Sequence, residues 1–275
     1  MNIIDGNLIK EEIEKDLKNK IANINEKLKL VIFKVGEDSA STIYVNNKKK
    51  LCEKLGIDFI LKKYDEVSTN ELVKEIETCN LDKSVTGILV QLPLPSNIDE
   101  KKVINSIDPN KDVDGLTNIN MGKLMDNEKS IVPCTALGII KMLELKNINL
   151  EGLNVVIIGR SKLVGLPLIP LFLQKNATVT SCNSKTKNLK DIAKRADVLV
   201  VAIGKKHFID DEYINSNQVI IDVGINRENG KIYGDVDFDK VKNQVRYITP
   251  VPGGVGKLTL ISLINNIIEA YYLQN

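Results

Sequence analysis

Tyr44 and Lys48 stand four residues apart in Ser41-Thr42-Ile43-Tyr44-Val45-Asn46-Asn47-Lys48. On a helix that spacing puts a phenol and an amine on one face. The phenol can donate or accept a hydrogen bond, and the amine can move a proton once burial lowers its pKa. Lys49 and Lys50 follow at once, so taken alone the stretch is better described as a surface tyrosine above a solvated lysine stem, and only the later stretches reverse that reading. Gln91 is the second candidate. It follows the short apolar strand Val85–Val90 and opens Gln91-Leu92-Pro93-Leu94-Pro95. The prolines end the strand, so Gln91 and Leu92 lie beyond its carboxyl end, where open α/β sheets bind ligands. The Gln91 amide can hold Lys48 or a ligand, or it can cap the turn. The third candidate is the loop Asp108-Pro109-Asn110-Lys111-Asp112-Val113-Asp114-Gly115. It offers too few oxygens for calcium, and its carboxylates suit either a ligand's N–H groups or a solvated turn.

These groups need a scaffold, and the pattern of the chain supplies one. Leu8–Ile24 repeats Ile9, Ile13, Leu17 and Ile21 at steps of four, as an amphipathic helix does. Leu28–Val35 and Ile57–Leu61 read as strands. Between them a helix is expected from about Ala40 to Leu55, started by Glu37-Asp38-Ser39 and ended by Gly56. Ser68 and Glu71 are spaced as a capping box for a helix reaching about Cys79, and Asp99–Ile107 reads as a short helix. Pro133-Cys134-Thr135 opens a helix that carries the chain from a first domain into a second.

The second half starts with a buried strand, Leu153–Ile158. It runs into Gly159-Arg160-Ser161-Lys162-Leu163-Val164-Gly165-Leu166-Pro167 and then an apolar helix. A strand, a glycine turn and a helix form the setting of a dinucleotide site, although Ser161 takes the place of the usual second glycine. Ala177–Cys182 is the next strand. An NAD site would follow it with an acid for the ribose, but Asn183-Ser184-Lys185-Thr186-Lys187 has none. Hydroxyls and cations there, with Arg160, suit the 2′-phosphate of NADP. Two further strands end at Gly204 and Gly224-Ile225, where glycine lets backbone approach a flat ligand. Pro250-Val251-Pro252-Gly253-Gly254-Val255-Gly256 forms a tight connector or a second backbone cradle. A last apolar helix, Leu258–Tyr272, is expected to return to the first domain. The division is 1–138 with 259–275 for the first domain, and 139–258 for a Rossmann-like second domain.

Composition narrows the classes. The 275 residues suit about two domains at roughly 100–200 residues each. Lys+Arg is 38 against Asp+Glu 36, a balance unlike that of a dedicated nucleic-acid binder. No apolar run is long enough to span a bilayer, and the start Met1-Asn2-Ile3-Ile4-Asp5-Gly6 turns polar at once, so a cytoplasmic protein without membrane contact is expected. The four cysteines are scattered and His207 is the single histidine, which sets aside a zinc site, a disulfide scaffold and a histidine-based hydrolase.

Across nearly its whole length the chain resembles the bifunctional methylenetetrahydrofolate dehydrogenase/methenyltetrahydrofolate cyclohydrolase (FolD) family. The resemblance rests on Tyr44-Val45-x-x-Lys48, on Asn80-x-Asp82 ahead of Gly87-Ile88-Leu89-Val90-Gln91-Leu92-Pro93-Leu94-Pro95, and on Lys111-Asp112-Val113-Asp114-Gly115. Pro133-Cys134-Thr135, Gly159-Arg160-Ser161-x-x-Val164-Gly165-x-Pro167 and Pro250–Gly256 extend it. It implies two α/β domains with a cleft between them, and a homodimer joined through the cofactor domains. It implies oxidation of 5,10-methylenetetrahydrofolate with NADP and hydrolysis of the methenyl product to 10-formyltetrahydrofolate. Lys48 then matches the catalytic lysine, Tyr44 the residue over the folate, Gln91 the lysine's partner and Asp114 the carboxylate that grips the pterin, with Leu92 and Pro252-Gly253-Gly254 completing the substrate site. Gly159, Arg160, Ser161, Val164, Gly165, Ser184, Gly204 and Ile225 match the cofactor side. The chain departs from the family pattern at Ala136, Asn183 and Lys257-Leu258. Rival readings are a monofunctional dehydrogenase of the same fold, another two-domain NADP enzyme such as a shikimate dehydrogenase, and a non-catalytic module that senses NADP or folate.

Overall fold

The computed structural model describes residues 2–275, with backbone alone at Ser39 and Ala40. By backbone proximity the chain divides into two compact units, Glu14–Cys134 with Leu260–Asn275, and the residues up to Ile13 with Thr135–Thr259. The boundary expected from sequence, at 138/139, and this one fall on the same helix. The contact-based division also takes the first thirteen residues into the second unit. No described helix is long and apolar enough to cross a membrane.

α1 (Gly6–Ala22), which passes from the second unit into the first after Ile13, leads to the first unit's β1 (Lys29–Val35), α2 (Ser39–Lys54), β2 (Asp58–Tyr64), α3 (Thr69–Leu81), β3 (Gly87–Val90), α4 (Glu100–Asn105) and α5 (Asn118–Met125). The three strands form a parallel sheet in the order β2-β1-β3, with Lys29 opposite Asp58 and Phe33 opposite Val90. Val31, Phe33, Val35, Ile88 and Val90 share one buried core with Leu72 and Ile76 of α3 and Val103 and Ile104 of α4. Side chains alternate along a strand, so Gln91, one residue past Val90, points to the opposite face. Its backbone N–H still donates to Phe33 O at 2.8 Å, which ties it to the sheet.

Local signals set these helices. Asp38 caps α2 by accepting from Ser41 N at 2.6 Å, and Gly56 closes its far end at φ +76°. The Ser68/Glu71 capping box forms in both directions, Glu71 N to Ser68 Oγ at 3.3 Å and Ser68 N to Glu71 Oε2 at 3.0 Å.

The second unit continues with α6 (Cys134–Leu145), β4 (Asn154–Ile158), α7 (Gly165–Leu173), β5 (Thr178–Cys182), α8 (Leu189–Lys194), β6 (Val198–Val201), β7 (Val219–Asp222), β8 (Asn226–Glu228), β9 (Lys231–Tyr233), α9 (Phe238–Val241) and β10 (Tyr247–Ile248). Its five-stranded sheet is parallel in the order β10-β7-β6-β4-β5. Strand β4 has β5 on one side and β6 on the other, which makes the carboxyl ends of β4 and β6 the switch point of a doubly wound sheet. Ile4 N donates to Ile248 O at 2.8 Å and Gly6 N to Gly253 O at 2.8 Å, so the first residues of the chain border this sheet rather than the first one. α10 (Val255–Gln274) crosses back, and from Leu260 onward it belongs to the first unit.

Short elements beyond the sequence expectation are α5, α8, α9, the two-residue strand β10 and the hairpin β8–β9. The hairpin turns at Asn229-Gly230, both with positive φ (+49° and +74°), the pair that a two-residue turn between twisted strands requires. α10 starts three residues earlier than expected, within the glycine run itself.

Candidate active site

Lys48 lies on α2 and is half-buried. Its Nζ donates to Gln91 Oε1 at 2.9 Å, and Gln91 Nε2 donates to Leu92 O at 2.8 Å. One amide therefore holds the lysine and closes the turn, so both uses expected of Gln91 are present. Ser41 Oγ, two turns earlier on the same helix, adds a 3.3 Å bond to Leu92 O. Burial pushes the Lys48 ammonium below the ordinary lysine range, while the Asp114 carboxylate pulls the other way; the thiols of Cys134 and Cys52 also lie near. Both thiols stay neutral. Burial pushes Cys52 up to about 12 and Cys134 well above its usual value. Tyr44 sits one turn before Lys48, half-buried on the same face.

The loop 108–115 separates its carboxylates by task. Asp112 is buried and accepts from Gly115 N at 3.0 Å, Thr117 N at 2.8 Å and Asn120 Nδ2 at 3.1 Å. Lys111 is buried too, with its Nζ donating to Cys79 O (3.1 Å), Asn80 O (2.7 Å) and Asp82 O (2.8 Å), which closes the end of α3. These two side chains are used up in shaping the loop. Asp114 stays half-exposed, and the thiol of Cys134 donates to the adjoining Val113 O at 3.4 Å. Gly115 must be glycine here. Its φ is +71°, and a Cβ would lie 2.7 Å from the backbone of Val132 and Pro133.

Asn266 is a part of this site that sequence reading missed. It is buried on α10, and its Nδ2 donates to Val113 O at 2.9 Å and Val132 O at 2.8 Å. It thus pins the residues next to Asp114 and Pro133. The signal was present, since Asn265-Asn266 interrupts an otherwise apolar helix that buries Leu263, Ile264, Ile267 and Ile268.

In the second unit a cavity of about 350 Å³ opens at the switch point. Gly159, Arg160, Ser161 and Ser184 line it, as expected, and so do Asn183, Leu189, Lys205 and Phe208, which were not. Backbone forms its wall. A Cβ on Gly159 (φ +117°) would lie 2.2 Å from Ala202 O, and one on Gly165 would lie 2.0 Å from Gly159 O. Val164 precedes α7 and provides no side-chain cap, which leaves that helix start open to an anion. Arg160 and Ser184 are exposed, and no side-chain hydrogen bond to either is found among the described residues. Asn183, at the position of the departure, accepts from Lys185 N at 3.0 Å and so builds the turn that presents Ser184. The cradle, the open helix start and the free cation fit an NADP phosphate group.

Gly204 (φ +63°) follows β6 and Ile225 follows β7, the latter 44% exposed. Pro252, Gly253 and Gly254 lie in the turn between β10 and α10, in the same unit as the cavity and not in the unit of Lys48, Gln91, Leu92 and Asp114. His207 is exposed, edge-on to Tyr233 with ring centres 5.4 Å apart.

Comparison with known proteins matches this layout. Residues 4–114 match the catalytic domain of tetrahydrofolate dehydrogenase/cyclohydrolase, and residues 133–275 match its NAD(P)-binding domain. The bifunctional protein FolD of Agathobacter rectalis is 48% identical over 274 residues, covering 98% of each chain. The crystal structure of the bifunctional FolD methylenetetrahydrofolate dehydrogenase/cyclohydrolase of Campylobacter jejuni superposes with a TM-score of 0.97 at 40% identity, covering 100% of both chains. The Trypanosoma brucei methylenetetrahydrofolate dehydrogenase-cyclohydrolase, solved with NADP and an inhibitor, gives 0.93 at 31% identity over 98% of this chain and 97% of its own. The two halves of the chain, each with the geometry its motif requires, belong to the tetrahydrofolate dehydrogenase/cyclohydrolase family.

Proposed function

We propose that this protein oxidises 5,10-methylenetetrahydrofolate to the 5,10-methenyl form with NADP and hydrolyses that product to 10-formyltetrahydrofolate. The observation that carries the reading is the Lys48–Gln91 hydrogen bond, made by a lysine whose charge burial disfavours. An amine so placed gives up its proton more readily than an exposed lysine and can act as a base. In hydrolysis, Lys48 takes a proton from water as the water oxygen attacks the methenyl carbon. The resulting tetrahedral carbinol collapses, the bond to N5 breaks, and N5 receives the proton held by Lys48. The carbinol O–H proton leaves to solvent, so one proton is released for each formyl group made. Gln91 keeps the amine aimed through both transfers, Tyr44 covers the folate, and Asp114 accepts from the pterin N–H groups, with Leu92 and Pro252–Gly254 completing the contacts.

NADP, when bound, supplies the hydride acceptor. The chain's part in that step is positioning. Gly159, Ser161, Val164 and Gly165 would hold the diphosphate, Arg160 and Ser184 the 2′-phosphate, and Gly204 and Ile225 the remainder. Residues 1–138 with 259–275 serve folate chemistry in this reading, and 139–258 serve the cofactor. A homodimer through the second unit is also part of it. β5 is an edge strand, and Leu166 and Leu173, exposed on the adjacent α7, would be covered. Four buried free thiols suit a reducing compartment such as the cytoplasm.

The test is an assay with methylenetetrahydrofolate and NADP that follows NADPH and the methenyl chromophore together. Formation of both NADPH and 10-formyltetrahydrofolate is expected. Methenyl product that accumulates without enzymatic hydrolysis would make the protein a monofunctional dehydrogenase, and binding of both ligands without turnover would make it a sensor.

A further inference from the structure

Two loops leave the carboxyl ends of β6 and β7. One carries Gly204 and lines the cavity through Ile203 and Lys205, and the other carries Ile225. A single buried carboxylate joins them. Asp235, wholly buried just after β9, accepts through Oδ2 from Ile203 N at 2.7 Å and Gly204 N at 3.0 Å. Through Oδ1 it accepts from Lys205 N at 2.7 Å and from Asn226 Nδ2, in the second loop, at 3.0 Å. Asp235 is itself held by Asp222 at the end of β7, whose Oδ1 accepts from Asp235 N at 2.9 Å and Gly224 N at 3.1 Å, and whose Oδ2 accepts from Val236 N at 3.0 Å. Space is filled as closely as charge is matched. A Cβ on Gly224 would lie 2.1 Å from the Asp235 carboxylate, and one on Gly234 would lie 1.8 Å from Asp222 Oδ2.

Two adjacent buried carboxylates are costly to hold in a protein, and a fold needs no such pair to end two strands. What the pair achieves is local. Three successive amides of one loop are turned onto one point, and the other loop is tied to the same point. We propose that Asp235 is a positioning residue for the cofactor, setting the Gly204 loop against the Ile225 loop so that both meet NADP in one geometry. This rests on the reading of the second unit as the NADP site. It concerns a residue that makes no contact with the cavity.

The test uses the full-length enzyme and three measurements: NADP affinity by titration, dehydrogenase kinetics, and hydrolysis of methenyltetrahydrofolate without NADP. In Asp235→Asn an N–H₂ group must face backbone N–H donors whichever way the amide turns. NADP affinity is expected to fall about tenfold or more, as for lost hydrogen bonds to a charged group. Hydrolysis should stay within about twofold, because Lys48, Gln91 and Asp114 belong to the other unit. Asn226→Ala removes one donor and keeps the carboxylate in place, so a smaller loss of NADP affinity with intact hydrolysis is expected. If Asp235→Asn fails to fold, Asn226→Ala decides the matter. NADP affinity unchanged in Asn226→Ala and, where it folds, in Asp235→Asn would overturn the proposal. Parallel loss of hydrolysis and NADP binding in folded Asp235→Asn would also overturn it, since that marks a general structural role. A wild type that binds no NADP would instead overturn the functional reading on which it rests.

Discussion

The two sites are built in opposite ways. Around Lys48 the work is done by side chains that already hold one another. Lys48 is bound to Gln91, Lys111 is spent on three carbonyls, Asp112 on three donors, and Asn266 on two carbonyls. In the second unit the cavity wall is backbone at Gly159 and Gly165, while Arg160 and Ser184 stand in solvent without side-chain partners among the described residues. Proton transfer needs an amine kept partly dry and aimed before substrate arrives, so its neighbours must be in place beforehand. A phosphate brings its own charge and can order exposed side chains as it binds. The difference shows that preorganisation is concentrated where the chain itself must move a proton.

Removing Lys48 should expose the contrast most sharply. Lys48→Met is expected to lower hydrolysis by about 10²–10⁴-fold, the usual worth of an acid–base group, and to harm the dehydrogenase much less. Equal loss of both activities in steady-state assays would make Lys48 a positioning group, and near-normal hydrolysis would remove it from the mechanism. A pH profile sharpens the point. The lysine pKa is lowered and the neutral amine is the active base, so the hydrolysis rate should climb as pH rises through a value below the ordinary lysine range and then level off. A rate that keeps rising to the normal lysine pKa would contradict the effect of burial.

Asp114 and Asp112 test whether the two carboxylates of one loop differ as their surroundings say. Asp114→Ala should raise the folate KM by about 10- to 100-fold, in line with ~1.5–3 kcal/mol for a charged hydrogen bond, and leave NADP affinity nearly intact. Asp112→Ala should instead lower thermal stability, because it strands three buried donors. Loss of NADP affinity in the Asp114 variant, or a stable Asp112 variant with a folate defect alone, would reverse the assignment.

The smallest effect is expected where the side chains are most exposed. The pair Arg160→Ala and Ser184→Ala together should cost about tenfold in kcat/KM with NADP and little with NAD, since only the 2′-phosphate contact is removed. A wild type that uses NAD and NADP equally, or a double variant that loses both alike, would show that the cavity reads some other part of the cofactor.

Much of this was decided by short-range chemistry that the sequence carries openly. The four-residue step from Tyr44 to Lys48, the Ser68/Glu71 capping box and the glycine turn after β4 depend on neighbours within a few residues, and backbone geometry makes such patterns readable. The hairpin at Asn229-Gly230 was equally local and equally readable, though no strand was expected there. Tertiary structure alone decided the rest. Gln91 meets Lys48 only because parallel pairing of β1 with β3 sets the register that turns Gln91 toward α2. Nothing in the spacing of Asp112 and Asp114 says which is consumed by the loop. That follows from amides at Gly115 and Thr117 folding back on one of them. Asn266 left a polar break in an apolar helix and Asp235 left no such mark, but the partners of both were out of reach for the same reason. Each closes a contact with backbone groups brought near by packing, and a hydrogen bond to a backbone amide or carbonyl leaves no mark on the identity of the residue that offers it.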